Sequence, residues 1–106
     1  MDDVITLISE TFTINDYGVR VPTEVARQVF CKVGTITRSE FFEGGRAGLN
    51  PEMRFDVFGA DYNGEEVCEW RGQRYAIYRT SHYESEDYLE LYVERKGGTN
   101  GKENSD

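Results

Sequence analysis

A serine next to the only histidine is the first place in this sequence where residue types suggest catalysis. Ser81 and His82 are neighbours, and serine with histidine is the pairing of a nucleophile and its base. The surrounding residues predict a β-strand, in which adjacent side chains point to opposite faces. The imidazole could then not activate the hydroxyl, so we interpret His82 as a solvent-exposed residue near a strand end.

Metal ligands are sparse as well. A zinc site needs several histidines or cysteines at set spacing, and the sequence has one histidine and the distant cysteines Cys31 and Cys68. The acidic run 61–66 lacks the spacing and the terminal bidentate glutamate of a calcium loop, and we interpret it as a turn. We predict no metal site.

Two further patterns suggest chemistry without supplying it. The run 44–48 (GGRAG) is rich in glycine but has neither the dinucleotide-binding pattern nor the lysine and hydroxyl of a phosphate-binding loop. Asp56 and Asp61 could form an acid–base pair, but with 20 acidic residues in 106 such pairs arise by chance. We find no cofactor motif and predict that the protein is not an enzyme.

Charge argues against capture of nucleic acid. Twelve basic and 20 acidic side chains give a net charge of −8, whereas binding to duplex DNA needs a clustered basic surface. Exposed tyrosines in a small β-barrel could stack single-stranded bases, but acidic residues crowd the same strands, which is more typical of a protein–protein surface. An OB-like single-strand binder stays as the alternative from another class. The tyrosines are Tyr75, Tyr78, Tyr83, Tyr88 and Tyr92, and the acids are Glu84, Glu86, Asp87, Glu90 and Glu94.

The start of the sequence does not match a targeting signal. The first residues are acidic where a secretory signal would be basic, and no apolar run approaches the ~20 residues of a membrane helix. We expect synthesis in the cytoplasm and no membrane partner. Buried free thiols are then favoured over a disulfide for Cys31 and Cys68.

Alternating apolar residues predict an all-β fold, a small six-stranded β-barrel with a long loop between strands 2 and 3. Val25, Val29 and Cys31 lie on one face of the second strand, and Ala26 and Phe30 lie on the other, so this strand is expected to be covered on both sides. Residues 1–96 are predicted to form one domain, and the apolar-free residues 97–106 a disordered tail. The strands are expected at 4–13, 25–33, 53–57, 66–70, 74–83 and 88–95, with Pro22 closing the first loop and turns at 15–18, 61–64, 71–73 and 85–87. Of these turns, Asn63-Gly64 is predicted to be a hairpin.

The long connection at residues 34–52 stands out from the strands. Loops of this length in a small domain are usually functional or disordered. Ser39 is expected to cap a short helical turn over residues 40–43, which Gly44 and Gly45 would stop. With Gly48, these glycines are also expected to let the loop hinge.

The segment from Phe30 to Lys96 resembles the head closure proteins, also called stopper or head–tail adaptor proteins, of long-tailed phages that infect Gram-positive hosts. The resemblance covers about two-thirds of the chain, with its pieces in the expected order and spacing. It is carried by the runs 37–43 (TRSEFFE), 47–52 (AGLNPE), 55–57 (FDV), 61–65 (DYNGE), 72–80 (GQRYAIYRT) and 89–92 (LELY).

This resemblance implies a structural protein of the virion neck, made in the bacterial host. Such proteins have a small β-barrel and form a ring beneath the portal and its adaptor ring. They retain packaged DNA without sequence specificity and offer a docking surface to the tail and its terminator proteins. A tail-terminator or minor tail subunit is the nearest alternative. With a net charge of −8, the isolated subunit is expected to be a monomer that assembles on a template.

The resemblance also implies that the long loop lines or closes the ring channel and contacts partners. Phe41, Phe42 and Leu49 are expected to pack between neighbouring subunits; the alternative is that they plug one end of the barrel. The candidate channel and partner-contact residues are Arg38, Glu40, Phe41, Phe42, Gly44, Gly45, Arg46, Gly48 and Leu49.

Overall fold

A computed structural model describes residues 3–82 and 87–96. The predicted all-β class and six-stranded barrel are confirmed, with one helix in the long connection. The predicted tail at 97–106 and most of the predicted turn at 85–87 lie outside the described residues. The elements are β1 (Asp3–Ile14), β2 (Arg20–Gly34), α1 (Arg38–Arg46), β3 (Pro51–Phe58), a 3-10 turn (Gly59–Asp61), β4 (Val67–Trp70), β5 (Gln73–His82) and β6 (Tyr88–Arg95).

The strands form one closed antiparallel barrel in the order β1-β2-β3-β6-β5-β4. The barrel closes because β1 pairs with β2 on one side and, through residues 6–8, with β4 on the other. Closure removes the unpaired edges that an open sheet would expose within the barrel.

Side chains fill the barrel interior, as the period-two pattern predicts. Phe55 lies at its centre, with its ring edge-to-face against Trp70 at 5.6 Å and against Tyr75 at 5.9 Å between centroids. The buried core is formed by Ile5, Leu7, Val29, Cys31, Phe55, Val57, Cys68, Tyr75, Leu89, Leu91 and Val93.

Two predicted turns have different outcomes. Arg71 and Gly72 have φ of 51° and 80° and join β4 to β5 through the pair Trp70–Gln73, so this tight turn is confirmed. The hairpin predicted at residues 63–64 is wrong, because β3 pairs with β2 and β6 and not with β4. Gly64 does have a positive φ of 86°, but its turn joins strands that do not pair.

The β1–β2 hairpin extends well beyond the barrel. Its two strands stay in register from Asp3–Cys31 to Ile14–Arg20, whereas β3 pairs with β2 only at residues 31–34. Residues 10–25 are all exposed and form a two-stranded projection, here called the arm.

Two expectations for this hairpin are therefore wrong. Pro22 lies within β2, opposite Phe12, and does not close the loop. The second strand is not covered on both sides, because Ala26 is exposed and the Phe30 side chain is 62% exposed. The turn itself is fixed by Asn15, whose side-chain oxygen accepts the backbone N–H groups of Tyr17 and Val19.

Candidate partner-contact surface

Helix α1 lies within the long connection at residues 34–52, which was predicted to be a functional or disordered loop. Thr37 is its N-cap, and the Thr37 hydroxyl oxygen accepts the backbone N–H of Glu40 at 3.0 Å. The cap predicted at Ser39 is therefore wrong by two residues, since Ser39 is already inside the helix.

The helix ends at a different glycine from the pair that the sequence suggested. Gly48 has a φ of 85°, and its N–H donates to Gly45 O at 3.1 Å while Leu49 N–H donates to Gly44 O at 2.8 Å. These two bonds form a Schellman motif with glycine in the left-handed position. Gly44 and Gly45 therefore lie within the last helical turn, and the expectation that they stop the helix is wrong.

Gly44 has a packing reason to lack a side chain. It is buried, and a Cβ built on it would overlap Cγ of Pro51, the first residue of β3. A Cβ on Gly45 would meet no atom within 4 Å. The backbone of α1 therefore approaches the barrel closely at Gly44, and the helix turns Gly45 to solvent.

Glu40 fixes the first half of the helix to β5. Its carboxylate accepts the Tyr78 hydroxyl at 2.6 Å and the Arg79 Nε–H at 3.2 Å, and it also contacts Arg79 Nη2. The hydrogen bond from Arg79 holds the pKa of Glu40 below its usual range, although burial opposes this. Burial and the hydrogen bond to Glu40 raise the pKa of Tyr78. Glu40 is therefore an anchor between the helix and the barrel.

The barrel surface around this anchor carries a second polar and aromatic layer. The Arg79 guanidinium lies 3.9 Å from the centre of the Tyr92 ring, and the Tyr92 hydroxyl donates to Glu90 at 2.9 Å. Asp56 is 1% exposed, and its Oδ1 lies 2.9 Å from Arg54 Nε. Asp56 is therefore a buried partner of Arg54 on the outward-facing side of β3.

The opposite face of α1 is open to solvent. Phe41 and Phe42 are 51% and 57% exposed, and their rings meet edge-to-face at 5.9 Å. Arg38, Phe41, Phe42 and Gly45 follow the i, i+3, i+4, i+7 spacing that places residues on one side of a helix. We call these four residues the helix face.

The candidate residues from sequence therefore separate into groups. Glu40 and Gly44 point to the barrel, the helix face points outward, and Gly48 and Leu49 end the helix. Arg46 is exposed beside the helix face and lies 3.5 Å from the Glu43 carboxylate. Because both phenylalanines are more than half exposed, the alternative in which they plug the barrel is wrong; Leu49 is half-buried.

A partly buried ion pair at the end of the barrel, between Arg27 and Glu65, is the main feature that the sequence pattern did not reveal. Arg27 interrupts the apolar positions of β2, and its Nη2 lies 2.6 Å from Oε2 of Glu65, which is only 5% exposed. Arg27 also donates to the Asp61 carbonyl at 2.7 Å, and Glu65 accepts the Asn63 N–H at 2.8 Å. Burial raises the pKa of Glu65, but these hydrogen bonds outweigh it and leave that pKa lowered. A charge at a core position of the alternation was the available signal.

The remaining candidate groups have separate outcomes. Cys31 and Cys68 are buried free thiols, as expected, and burial raises the pKa of both to about 12. His82 is exposed at the end of β5. Tyr75 is buried inside the barrel at 3% exposure, so its ring is closed to a base, and Tyr83 lies outside the described residues. Within residues 3–82 and 87–96, no cluster of three ligand-type side chains could hold a metal ion.

Comparison with known proteins adds no relative. No protein-family model matches the chain, and no curated protein matches it. No helix among the described residues is long and apolar enough to cross a membrane.

Proposed function

We propose that the protein is a structural subunit of a phage neck. In this role it forms a ring on the portal–adaptor complex, closes the head after DNA packaging and gives the tail a docking surface. The observation that carries the proposal is the arrangement of α1, which is pinned to the barrel by Glu40 and presents Phe41 and Phe42 to solvent. This helix lies in the segment whose sequence resembles head closure proteins.

A pinned helix is suited to contact between subunits or with an adaptor ring. Binding costs free energy when flexible groups must be ordered, and a preformed surface lowers that cost. The Glu40 contacts with Tyr78 and Arg79, together with the close approach of Gly44 to Pro51, hold the helix before any partner arrives. The two phenylalanines then offer the kind of aromatic anchor that dominates many interfaces.

The charge of the chain supports passage of DNA without capture. A net charge of −8 gives a ring of such subunits an acidic character, which repels phosphates and makes no sequence-specific contact. Retention of packaged DNA would then be mechanical, through a narrowed channel. In this proposal the partners are the portal and adaptor ring, the tail terminator, copies of the chain itself and the DNA in the channel, and the location is the virion neck.

Complementation tests the proposal directly. A phage that lacks this gene is supplied with either the wild-type chain or the double variant Phe41→Ala/Phe42→Ala. We expect the variant to fold normally but to give heads that lose DNA or fail to receive tails. Ser39→Ala, at an exposed position on the same helix, is the matched control and should restore infectivity. Normal titres from the double variant would contradict the role assigned to α1.

Two alternatives make different predictions in binding assays. A tail terminator or minor tail subunit would bind purified tails and not the portal–adaptor complex, so cosedimentation with each separates it from a head closure subunit. An OB-like domain would bind single-stranded DNA with an affinity that falls with salt. We expect almost no such binding, because an OB-fold has five strands, whereas this barrel has six, and because Tyr75 and Tyr92 are buried.

A further inference from the structure

An exposed apolar row crosses the outside of the barrel at the base of the arm. Val4 pairs with Phe30, and Phe58 pairs with Tyr88. Phe30 and Phe58 each lie one residue beyond the Cys31–Val57 pair, so they are next to each other in register. Val4, Phe30 and Phe58 are 40%, 62% and 41% exposed, and the Phe58 and Tyr88 rings stack at 5.1 Å. We call Val4, Phe30, Phe58 and Tyr88 the stripe.

The arm carries a second apolar surface on its outer side. Phe12 and Ile14 are 52% and 65% exposed, and they face Pro22 and Arg20 across the hairpin. The Arg20 guanidinium lies 4.4 Å from the centre of the Phe12 ring. We call these four residues the arm tip. Their alternation with Thr11 and Thr13 places them on the same side of the hairpin as Val4 and Phe30.

The two surfaces of one molecule cannot meet. Val4 and Phe12 belong to the same unbroken strand, β1, and at about 3.3 Å per residue they are held roughly 26 Å apart. Pairing with β2 along the whole length of the arm keeps it extended. Among the described residues, therefore, neither surface can cover the other within one molecule.

We propose that the arm tip of one subunit docks on the stripe of a second copy of the same chain. This inference deepens the proposed ring and rests on it. Both surfaces are largely apolar, and each has an exposed charge of opposite sign. Arg20 belongs to the arm tip, whereas Asp87 comes directly before Tyr88 of the stripe. These two charges can face one another at the edge of the apolar contact, which favours one orientation.

Such a contact joins two different patches and so repeats from subunit to subunit. Head-to-tail contacts of this kind generate rings when the rotation closes. Each patch has four residues, against about 20–30 on each side of a standard interface. The contact is therefore weak between free subunits, and a portal–adaptor template that gathers them raises its occupancy.

Disulfide trapping with purified protein tests the contact without any phage partner. One chain carries Ile14→Cys and the other carries Phe58→Cys, and the two are mixed at high concentration under oxidising conditions. The native thiols are buried and do not compete. Thr13→Cys, on the opposite side of the arm, replaces Ile14→Cys in the matched control. We expect a heterodimer yield about tenfold above this control, equivalent to ~1.4 kcal/mol.

Charge reversal gives a second measurement at the same interface. Arg20→Glu in the Ile14→Cys chain should lower the yield, and Asp87→Arg in the Phe58→Cys chain should restore it. Equal yields from the Ile14→Cys and Thr13→Cys mixtures would overturn the proposal. So would a higher yield from Ile14→Cys alone, since that shows arms pairing with each other.

The outcome is separable from that of the neck role. If the disulfide forms as expected but the complementation test contradicts the role of α1, the contact between copies is retained and the phage neck role is not. The reverse result would retain the neck role and assign the arm tip to a different partner.

Discussion

Alanine at Gly44 and at Gly45 should have opposite effects on stability, although the two residues are neighbours in one helix. Alanine is favoured over glycine inside a helix by about 0.8–1.0 kcal/mol. A Cβ at Gly45 would meet no atom within 4 Å, so Gly45→Ala receives most of this gain. We expect it to stabilise the protein by about 0.5–1 kcal/mol, the lower value reflecting its place in the last turn.

At Gly44 the same gain is outweighed by overlap. The added Cβ would fall on Cγ of Pro51, whose ring is closed on its own backbone and cannot swing away. Overpacking of this kind costs about 1–3 kcal/mol, which leaves Gly44→Ala destabilised by up to about 2 kcal/mol after the helix gain of ~1 kcal/mol. The contrast between the two variants is therefore about 2 kcal/mol.

Thermal and urea unfolding, followed by the fluorescence of Trp70, measure this contrast. One kcal/mol moves the midpoint of a domain near this size by about 4–8 °C, so the two variants should move it in opposite directions. Gly48→Ala is the third variant and should destabilise by about 1–2 kcal/mol, because its φ of 85° is strained for alanine. Equal midpoints for Gly44→Ala and Gly45→Ala would refute the packing of α1 on Pro51.

Three further predictions concern single groups. Phe42→Ala should change stability by less than about 1 kcal/mol, as expected of a surface residue, and a loss above about 3 kcal/mol in urea unfolding would instead make it a core residue. Cys31 and Cys68 should not react with a thiol reagent until the protein unfolds, because burial raises the pKa of both to about 12; rapid labelling of the folded protein would contradict this. Because the folded pKa of Glu65 is lowered, its pair with Arg27 stabilises the fold above the usual carboxyl value of 4.5, and this contribution is lost as the pH falls through the lowered value. Arg27→Met should therefore move acid unfolding, monitored by fluorescence, to higher pH, and an unchanged transition would show that the pair does not matter.

Local patterns were enough to predict the class of the fold. Period-two alternation around Phe55 and Leu91 marks strands with one buried face, and Arg71-Gly72 supplies the positive φ of a tight turn. Both signals depend on residues close in sequence. To predict a closed barrel, one further assumption is enough: the apolar faces of all strands point into one shared core.

The errors arise where distant parts of the chain decide the outcome. Asn63-Gly64 has hairpin chemistry, but the strands that it separates find other partners. Val25 continues the alternation of Val29, yet it is 47% exposed because none of the described strands crosses the arm to cover it. From sequence, Gly44 suggests the end of a helix. In the structure it is a glycine because Pro51 packs against it and leaves no room for a Cβ. A sequence pattern predicts the face of a strand or helix on which a residue lies, but it does not predict which other element packs against that face.

The same distinction explains why the helix face and the arm tip can be altered without loss of the barrel. The apolar residues of the helix face and the arm tip follow the periodicity of a core, and they stay exposed in the described part of the chain. These exposed positions are therefore apolar where a surface is usually polar, and exposed apolar residues lower solubility. A chain with a net charge of −8 offsets that cost through mutual repulsion while the subunits are free. Contact would then form where a template holds copies close enough for burial of Phe12 and Phe42 to exceed the repulsion, and raising the salt concentration should favour self-association for the same reason.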